Sequence, residues 1–146
     1  LSSGEAKLPV SKLQPLPRSA LQGRVVVVDD DQQVAEFMVE LLEGWGLSVQ
    51  AFCDAEQASA LLVADPYAWD FVILDQSMPR LSGLQLARRV LAARADLPIV
   101  LYTGFSDALV ETEVMAQGLK ALLSKPLDQS RLHALLCSHL LTSLTG

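Results

Sequence analysis

The sequence of 146 residues predicts an α/β fold in which helices cover both faces of a parallel sheet. Two observations support this prediction. Short apolar runs such as Val25–Val28 recur along the chain, and such runs are typical of strands that are buried on both faces. Segments with helical periodicity separate these runs, so that strands and helices alternate in five successive units. Strict alternation of this kind favours parallel strands joined by helical crossovers.

The composition is that of a globular domain with a large core. Hydrophobic residues make up 51% of the chain and charged residues 19%, and a chain of this length is expected to form one domain. The net charge of −6 argues against nucleic-acid partners and against contact with an acidic membrane surface, because phosphate binding needs clustered Lys and Arg. Cys53 and Cys137 are too few for a disulfide framework or a zinc cage, so we expect reduced packing residues in a cytoplasmic protein.

Residues 1–23 are predicted to be a linker, and residues 24–146 the folded domain. Pro9, Pro15 and Pro17 lie in a stretch that has neither helical nor strand periodicity. Because a proline disfavours helix at the residue before it, we interpret this stretch as semi-extended. The chain begins at Leu1 without a methionine, and we expect it to be part of a longer protein.

The first two strand–helix units occupy the chain from Val25 to about Pro66. Val25–Val28 is the first strand, and the helix after it is predicted to end at Gly44 or Gly46. The apolar residues of this helix recur at helical spacing and are Val34, Phe37, Met38, Leu41, Leu42 and Trp45. Leu47–Phe52 is predicted to be the second strand, followed by a short helix over Ala55–Val63 that ends before Pro66.

The other three units complete the alternation. Their strands are predicted over Phe71–Leu74, Pro98–Thr103 and Leu119–Ser124. One helix follows Gly83, the next extends over about 107–117 and ends at Gly118, and the last extends over about 129–141. The helix after Gly83 contains Leu84, Ala87, Arg88 and Leu91. The apolar face of the last helix consists of Leu132, Leu135, Leu136 and Leu140, which we interpret as core, with a dimer contact as the alternative.

Reactive side chains lie where the strands end. The first strand ends at Asp29 and Asp30, the third at Asp75, the fourth at Thr103, and the fifth at Lys125. Open α/β sheets bind their ligands at the carboxyl ends of the strands. A single aspartate at such a place is most often a helix N-cap, which is our interpretation of Asp31 and Asp54. Four strand ends with suitable chemistry indicate a common site.

Three carboxylates at one edge would repel each other, by on the order of 4 kcal/mol for a pair about 4 Å apart at an effective dielectric near 20. Lys125 would offset one of these charges. A small divalent cation would offset two, and Mg²⁺ prefers oxygen ligands and usually acts beside a phosphate. The sequence therefore predicts phosphoryl chemistry with Mg²⁺, with Mn²⁺ as the alternative ion.

Four segments together resemble the receiver domain of two-component response regulators. They are VVVVDDDQQV, FVILDQSMPRLSGLQL, PIVLYTG and ALLSKPL, and the resemblance extends over about Arg24–Leu141. It implies a flavodoxin-like, doubly wound (βα)5 fold with a five-stranded parallel sheet in the order 2-1-3-4-5.

The resemblance also implies a role for each site residue. Asp75 is the expected phospho-acceptor, Asp30 a direct ligand of Mg²⁺, and Asp29 a ligand acting through water. The backbone carbonyl of Ser77 would complete the metal ligands. The remaining implied residues are Thr103, which would bond a phosphoryl oxygen, Lys125, which would pair with the phosphate charge, Gly104, which would leave room for the phosphoryl group, and Pro126, which would follow a cis peptide bond.

Certain positions near the site require separate interpretation. Leu122 occupies the place where many receivers have a Tyr or Phe that acts as a rotamer switch, so this chain departs there from the usual pattern of the family. Tyr102 is interpreted as a core residue, because strand alternation directs it away from the face of Thr103. His133 and His139 are six residues apart, which does not suit a metal pair, and we interpret them as surface or packing residues.

The implied partners are a histidine kinase domain, in the same chain or another, and a histidine phosphotransfer protein. The fourth helix, fifth strand and fifth helix would form the switching surface and a homodimer contact. PIVLYTGFSD further resembles receivers fused behind sensor kinases, so we expect the C-terminal receiver of a hybrid sensor histidine kinase. Whether the chain counts as an enzyme stays open, since a receiver assists its own phosphorylation and dephosphorylation.

Three alternatives remain open. One is a stand-alone or tethered response regulator that acts by protein contact. Another is a Mg²⁺-dependent aspartyl-phosphate phosphatase of the haloacid-dehalogenase type, although its Asp-x-Asp motif is replaced here by Asp75, Gln76 and Ser77. The third is a flavin-binding module of the same fold, which is disfavoured because three aspartates after the first strand would repel a phosphate.

Overall fold

The computed structural model describes residues 21–104 and 110–140 in full, and positions 108 and 109 by their backbone alone. Its five strands are β1 (Arg24–Val28), β2 (Ser48–Phe52), β3 (Phe71–Asp75), β4 (Ile99–Thr103) and β5 (Ala121–Ser124). Its five α-helices are α1 (Gln32–Gly44), α2 (Ala55–Ala64), α3 (Gly83–Ala93), α4 (Ala108–Ala116) and α5 (Gln129–Leu140). A short 3₁₀ helix, Pro66–Ala68, precedes β3.

The strands form one parallel sheet in the order β2-β1-β3-β4-β5, which confirms the predicted topology. The register places Val28 beside Leu74 of β3, and Asp75 beside Tyr102 of β4. Thr103 in turn lies beside Ser124 of β5. The carboxyl ends of β1, β3, β4 and β5 are therefore level with one another, as the grouping of their polar residues requires.

Alternate residues of the central strands enter two separate cores, one on each face of the sheet. Val26, Val72 and Leu101 pack with α2, α3 and α4 on one face. Val27, Ile73 and Val100 pack with α1 and α5 on the other. The apolar residues of β1, β3 and β4 are buried on both faces of the sheet, as their unbroken apolar runs predicted.

Several side chains differ from the sequence-based expectation. Phe37, predicted to lie on the apolar face of α1, is 46% exposed, because only part of that face, including the predicted Met38 and Leu42, is buried in the core. In α3 the buried stripe contains Leu86, Ala87 and Val90. Cys53 is an exposed free thiol and not a packing residue.

The ends of the predicted elements extend beyond the described residues. Most of the predicted linker, residues 1–20, lies outside them, as do residues 105–107 before α4 and 141–146 after α5. Leu21 is buried in the core beneath α1 and α5. Within the described residues, every helix is too short or too polar to cross a bilayer.

Candidate functional site

Three carboxylates meet at the carboxyl ends of β1 and β3. Asp29 and Asp75 are buried, with 1% and 2% of their surfaces exposed, whereas Asp30 is exposed to solvent. One oxygen from each of the three side chains lies within 4.8 Å of the others. The predicted acidic cluster is therefore present, and it has one open side.

Lys125 reaches the cluster from the far side of β4. Its Nζ lies 3.0 Å from Oδ1 of Asp75, and its backbone N–H donates to the carbonyl of Thr103 at 2.8 Å. The same Oδ1 of Asp75 accepts a hydrogen bond from the backbone N–H of Ser77 at 3.2 Å. The peptide bond between Lys125 and Pro126 is cis, as the family resemblance implied.

The surroundings of Asp75 make its ionisation harder than that of a free aspartate. Burial raises the pKa of the Asp75 carboxyl above its ordinary value, the hydrogen bond from Lys125 opposes this rise, and the charge of Asp29 adds to it. One ammonium group therefore does not compensate the three acids. A cation bound at the open side would stabilise the ionised form that a nucleophilic carboxylate requires.

The aspartates of the sequence DDD have separate roles. The Asp31 carboxylate accepts from the backbone N–H groups of Gln33 and Val34 and caps α1, as predicted. Asp54 caps α2 in the same way, through the N–H groups of two residues in its first turn. These two acids are thus committed to helix ends and lie outside the cluster of three.

The loop after Asp75 is tied to the start of α3. The carbonyl of Gln76 accepts from the N–H of Gly83 at 3.2 Å, and its side-chain oxygen accepts from the N–H of Leu84 at 2.8 Å. Ser82 caps α3 through a reciprocal pair of hydrogen bonds with Gln85. These bonds fix the backbone of the acceptor loop against a helix.

The end of β4 lies beside the acceptor strand, where Tyr102 pairs with Asp75 and Thr103 follows it. Thr103 is buried, with 4% of its surface exposed, and Gly104 after it is exposed. A Cβ added at Gly104 would meet no described atom within 4 Å. Leu122 of β5, which stands at the position of the aromatic switch residue of other receivers, is buried in the core formed with α2, α3 and α4.

Tyr102 is the site residue that sequence reasoning missed. It is buried, as predicted, but its hydroxyl group donates a hydrogen bond to Oδ2 of Asp29. Burial and this contact with Asp29 raise the pKa of Tyr102 above its ordinary value, so the hydroxyl keeps its proton. Strand alternation gives the direction of the Cβ atom and not the reach of a long side chain, which is why the pattern did not reveal this contact.

Comparisons with known proteins agree with this geometry. A family model described as the response regulator receiver domain matches residues 25–137. The transcriptional regulatory protein FixJ of Bradyrhizobium diazoefficiens is 34% identical over 116 residues, which cover 79% of this chain and 55% of FixJ. The response regulator receiver protein CpdR of Brucella abortus is 31% identical over 103 residues, which cover 70% of this chain and 84% of CpdR.

A solved structure has the same fold and a similar length. The non-phosphorylated HemR receiver domain from Leptospira biflexa is 26% identical and has a TM-score of 0.71, over 77% of this chain and 90% of that chain. By contrast, the chain spans 23% of the C4-dicarboxylate transport regulator DctD of Rhizobium meliloti and about half of FixJ. The matches thus concern one domain of those longer proteins. This chain belongs to the response regulator receiver domain family, the receivers of two-component signal transduction.

Proposed function

We propose that Asp75 accepts a phosphoryl group from a phosphohistidine on a histidine kinase domain, in a reaction that requires Mg²⁺. One observation carries the proposal: Asp29, Asp30 and Asp75 lie within a single ion's reach of one another, and Lys125 contacts Asp75. The family match adds that receivers of this kind function in phosphorelays.

The residues present fit a Mg²⁺ ion. The cluster offers carboxylate oxygens, which are the ligands that Mg²⁺ prefers, and no thiol or imidazole belongs to it. Asp30 is exposed, so the ion can keep several of its waters, as Mg²⁺ usually does. Asp29, Asp30, Asp75 and the backbone carbonyl of Ser77 would hold it, and Mn²⁺ has the same ligand preference.

The carboxylate of Asp75 would act as the nucleophile. Its oxygen forms the new bond to phosphorus while the bond between phosphorus and the donor imidazole breaks, and the imidazole nitrogen keeps that electron pair. Bound Mg²⁺ supplies charge that offsets the phosphoryl oxygens. Lys125, already 3.0 Å from Asp75, would follow the developing charge, and Thr103 would donate to a phosphoryl oxygen.

The added phosphoryl charge would then bias a protein-interaction surface. That surface comprises α4, β5 and α5, and it is also the proposed homodimer contact. Because Leu122 replaces the aromatic residue of other receivers, the signal would pass through Thr103 and the start of α4 without an aromatic rotamer change.

We place the domain at the C-terminal end of a hybrid sensor histidine kinase in the cytoplasm. The segment PIVLYTGFSD supports this context through its resemblance to kinase-fused receivers. Phosphate would then arrive from the kinase domain and pass to a histidine phosphotransfer protein. The alternative is a stand-alone or tethered response regulator that acts by protein contact, and the names of FixJ and DctD, both transcriptional regulatory proteins, favour a response regulator over a kinase. The mass of the full-length gene product separates the two, since only a hybrid protein contains a kinase domain.

The phosphoryl transfer can be tested with a small donor. We expect acetyl phosphate and Mg²⁺ to give the intact-mass gain of one phosphoryl group, and chelation of Mg²⁺ to abolish it. Asp75→Asn should gain no mass. The matched control is Asp54→Asn, which alters another strand-end aspartate while Asn retains the N-cap, and it should be labelled like the wild type. Labelling of Asp75→Asn would contradict the assignment.

A further inference from the structure

Tyr102 contacts both Asp29 of the acidic cluster and Lys125. Its side chain is buried among the residues of the core formed with α1 and α5, on the opposite face of the sheet from Leu101. Its hydroxyl group donates to Oδ2 of Asp29. The Nζ of Lys125 lies 5.0 Å from the centre of its ring, within the range of a cation–π contact.

The Asp29 carboxylate has a donor on each oxygen. Oδ1 accepts from the backbone N–H of Asp31 at 2.8 Å, and Oδ2 accepts from Tyr102. With 1% of its surface exposed, Asp29 depends on these protein donors instead of bulk water. The two bonds fix the rotation of the carboxylate with respect to Asp30 and Asp75.

We propose that Tyr102 is a positioning residue of the metal site, which holds the Asp29 carboxylate in the orientation that the divalent cation requires. This inference rests on the proposed function, since it concerns the same Mg²⁺ site. The bond from the backbone of Asp31 comes from the neighbouring peptide, whereas the bond from Tyr102 comes from β4. Only the second therefore connects β1 to the strand that ends in Thr103.

Removal of the hydroxyl group has a defined consequence. In Tyr102→Phe the ring and its contact with Lys125 remain, but Oδ2 of Asp29 loses its buried donor. The carboxylate then turns or admits a water, and the ligand set is no longer preformed. Loss of a partner that orients a metal ligand typically lowers metal affinity 10- to 100-fold, so we expect the Kd for Mg²⁺ to rise by roughly tenfold.

The chain provides a matched control, because it has only two tyrosines. Tyr67 is 72% exposed and stacks with Arg94, away from the acids. Calorimetric titration should give Tyr67→Phe the Mg²⁺ affinity of the wild type. In that variant Tyr102 is the remaining tyrosine, and its near-ultraviolet absorbance should change as Mg²⁺ binds, because the hydroxyl group contacts a ligand. This readout does not depend on the folding of Tyr102→Phe.

A double-mutant cycle tests whether Tyr102 acts through Asp29. Asp29→Ala leaves the hydroxyl group nothing to position, so in that background Tyr102→Phe should change the Mg²⁺ affinity by less than about twofold. A tenfold effect of Tyr102→Phe that persists in the Asp29→Ala background would overturn the inference. An unchanged or tighter Kd for Mg²⁺ in Tyr102→Phe alone would also overturn it, and so would a Tyr102 absorbance that does not change when Mg²⁺ is added. Absence of saturable Mg²⁺ binding by the wild type would instead overturn the proposed metal site, and the inference with it.

Discussion

Gly83, the first residue of α3, is predicted to be sensitive to substitution because the helix begins against the backbone of Asp75. A Cβ added at Gly83 would lie 2.4 Å from the carbonyl oxygen of Asp75 and 2.5 Å from a methyl group of Leu101. Both neighbours are confined: the first is the backbone of a central strand, and Leu101 is fully buried. Gly83→Ala must therefore displace either α3 or the acceptor strand.

The cost can be bounded from known effects. Overpacking of a close-packed core usually costs about 1–3 kcal/mol. The better helix propensity of alanine recovers at most about 1 kcal/mol, and less in a first turn. We expect Gly83→Ala to lower the free energy of unfolding by about 1–2 kcal/mol. Because the displaced atoms belong to Asp75, phosphorylation by acetyl phosphate should also slow, by roughly tenfold or more.

Gly44 supplies the control. It is the last residue of α1, and a Cβ there would meet no described atom within 4 Å. Gly44→Ala should therefore raise the free energy of unfolding slightly, by at most about 0.5 kcal/mol at a helix end, and leave phosphorylation unchanged. Urea unfolding and intact-mass kinetics measure both quantities. If Gly83→Ala were as stable as Gly44→Ala, the reasoning about the close approach of α3 would be refuted.

Three further predictions concern charges. Without divalent ions, Asp75→Asn should be more stable than the wild type at neutral pH, because an acid whose pKa is raised on folding opposes folding when it is ionised. This advantage of the variant should shrink as pH falls through the raised pKa of Asp75. Urea unfolding at several pH values measures the trend, and an advantage that grows as pH falls would contradict the prediction. Asp54→Ala should lose about 1 kcal/mol of stability with its N-cap, yet calorimetry should show an unchanged Mg²⁺ affinity, and a weaker one would make Asp54 a ligand. Burial lowers the pKa of His133, so the protein should lose stability as pH falls below the ordinary histidine pKa of about 6.5. Thermal unfolding of His133→Gln should show a smaller loss over the same pH range. An equal loss in the variant would mean that another group causes it.

The sheet and its reactive edge could be predicted because strand ends are marked directly in the sequence. Val25–Val28 and Phe71–Asp75 are buried on both faces, so their apolar runs end where the chain leaves the sheet. Parallel pairing then requires that Asp29 and Asp75 lie at the same edge. The prediction needed only the period of the pattern and the geometry of parallel strands.

Features that depend on three-dimensional reach could not be predicted in this way. The periodicity of α1 assigned Phe37 to the core, but the apolar stripe is wider than the surface that α1 buries, and Phe37 falls outside it. The helix pattern gave no sign that Gly83 approaches the backbone of Asp75. Tyr102 obeys strand alternation at its Cβ, while its hydroxyl group lies a ring's length further on, at Asp29.

The run of three aspartates after β1 shows how adjacent like charges can be separated by function. Asp31 turns its carboxylate towards the N–H groups of α1, while its own backbone N–H donates to Asp29. Asp29 is thereby held inward against Tyr102, and Asp30 between them is left exposed to solvent. The bond that fixes Asp29 thus begins at the residue that caps α1, so Asp31 serves the helix with its side chain and the acidic cluster with its backbone.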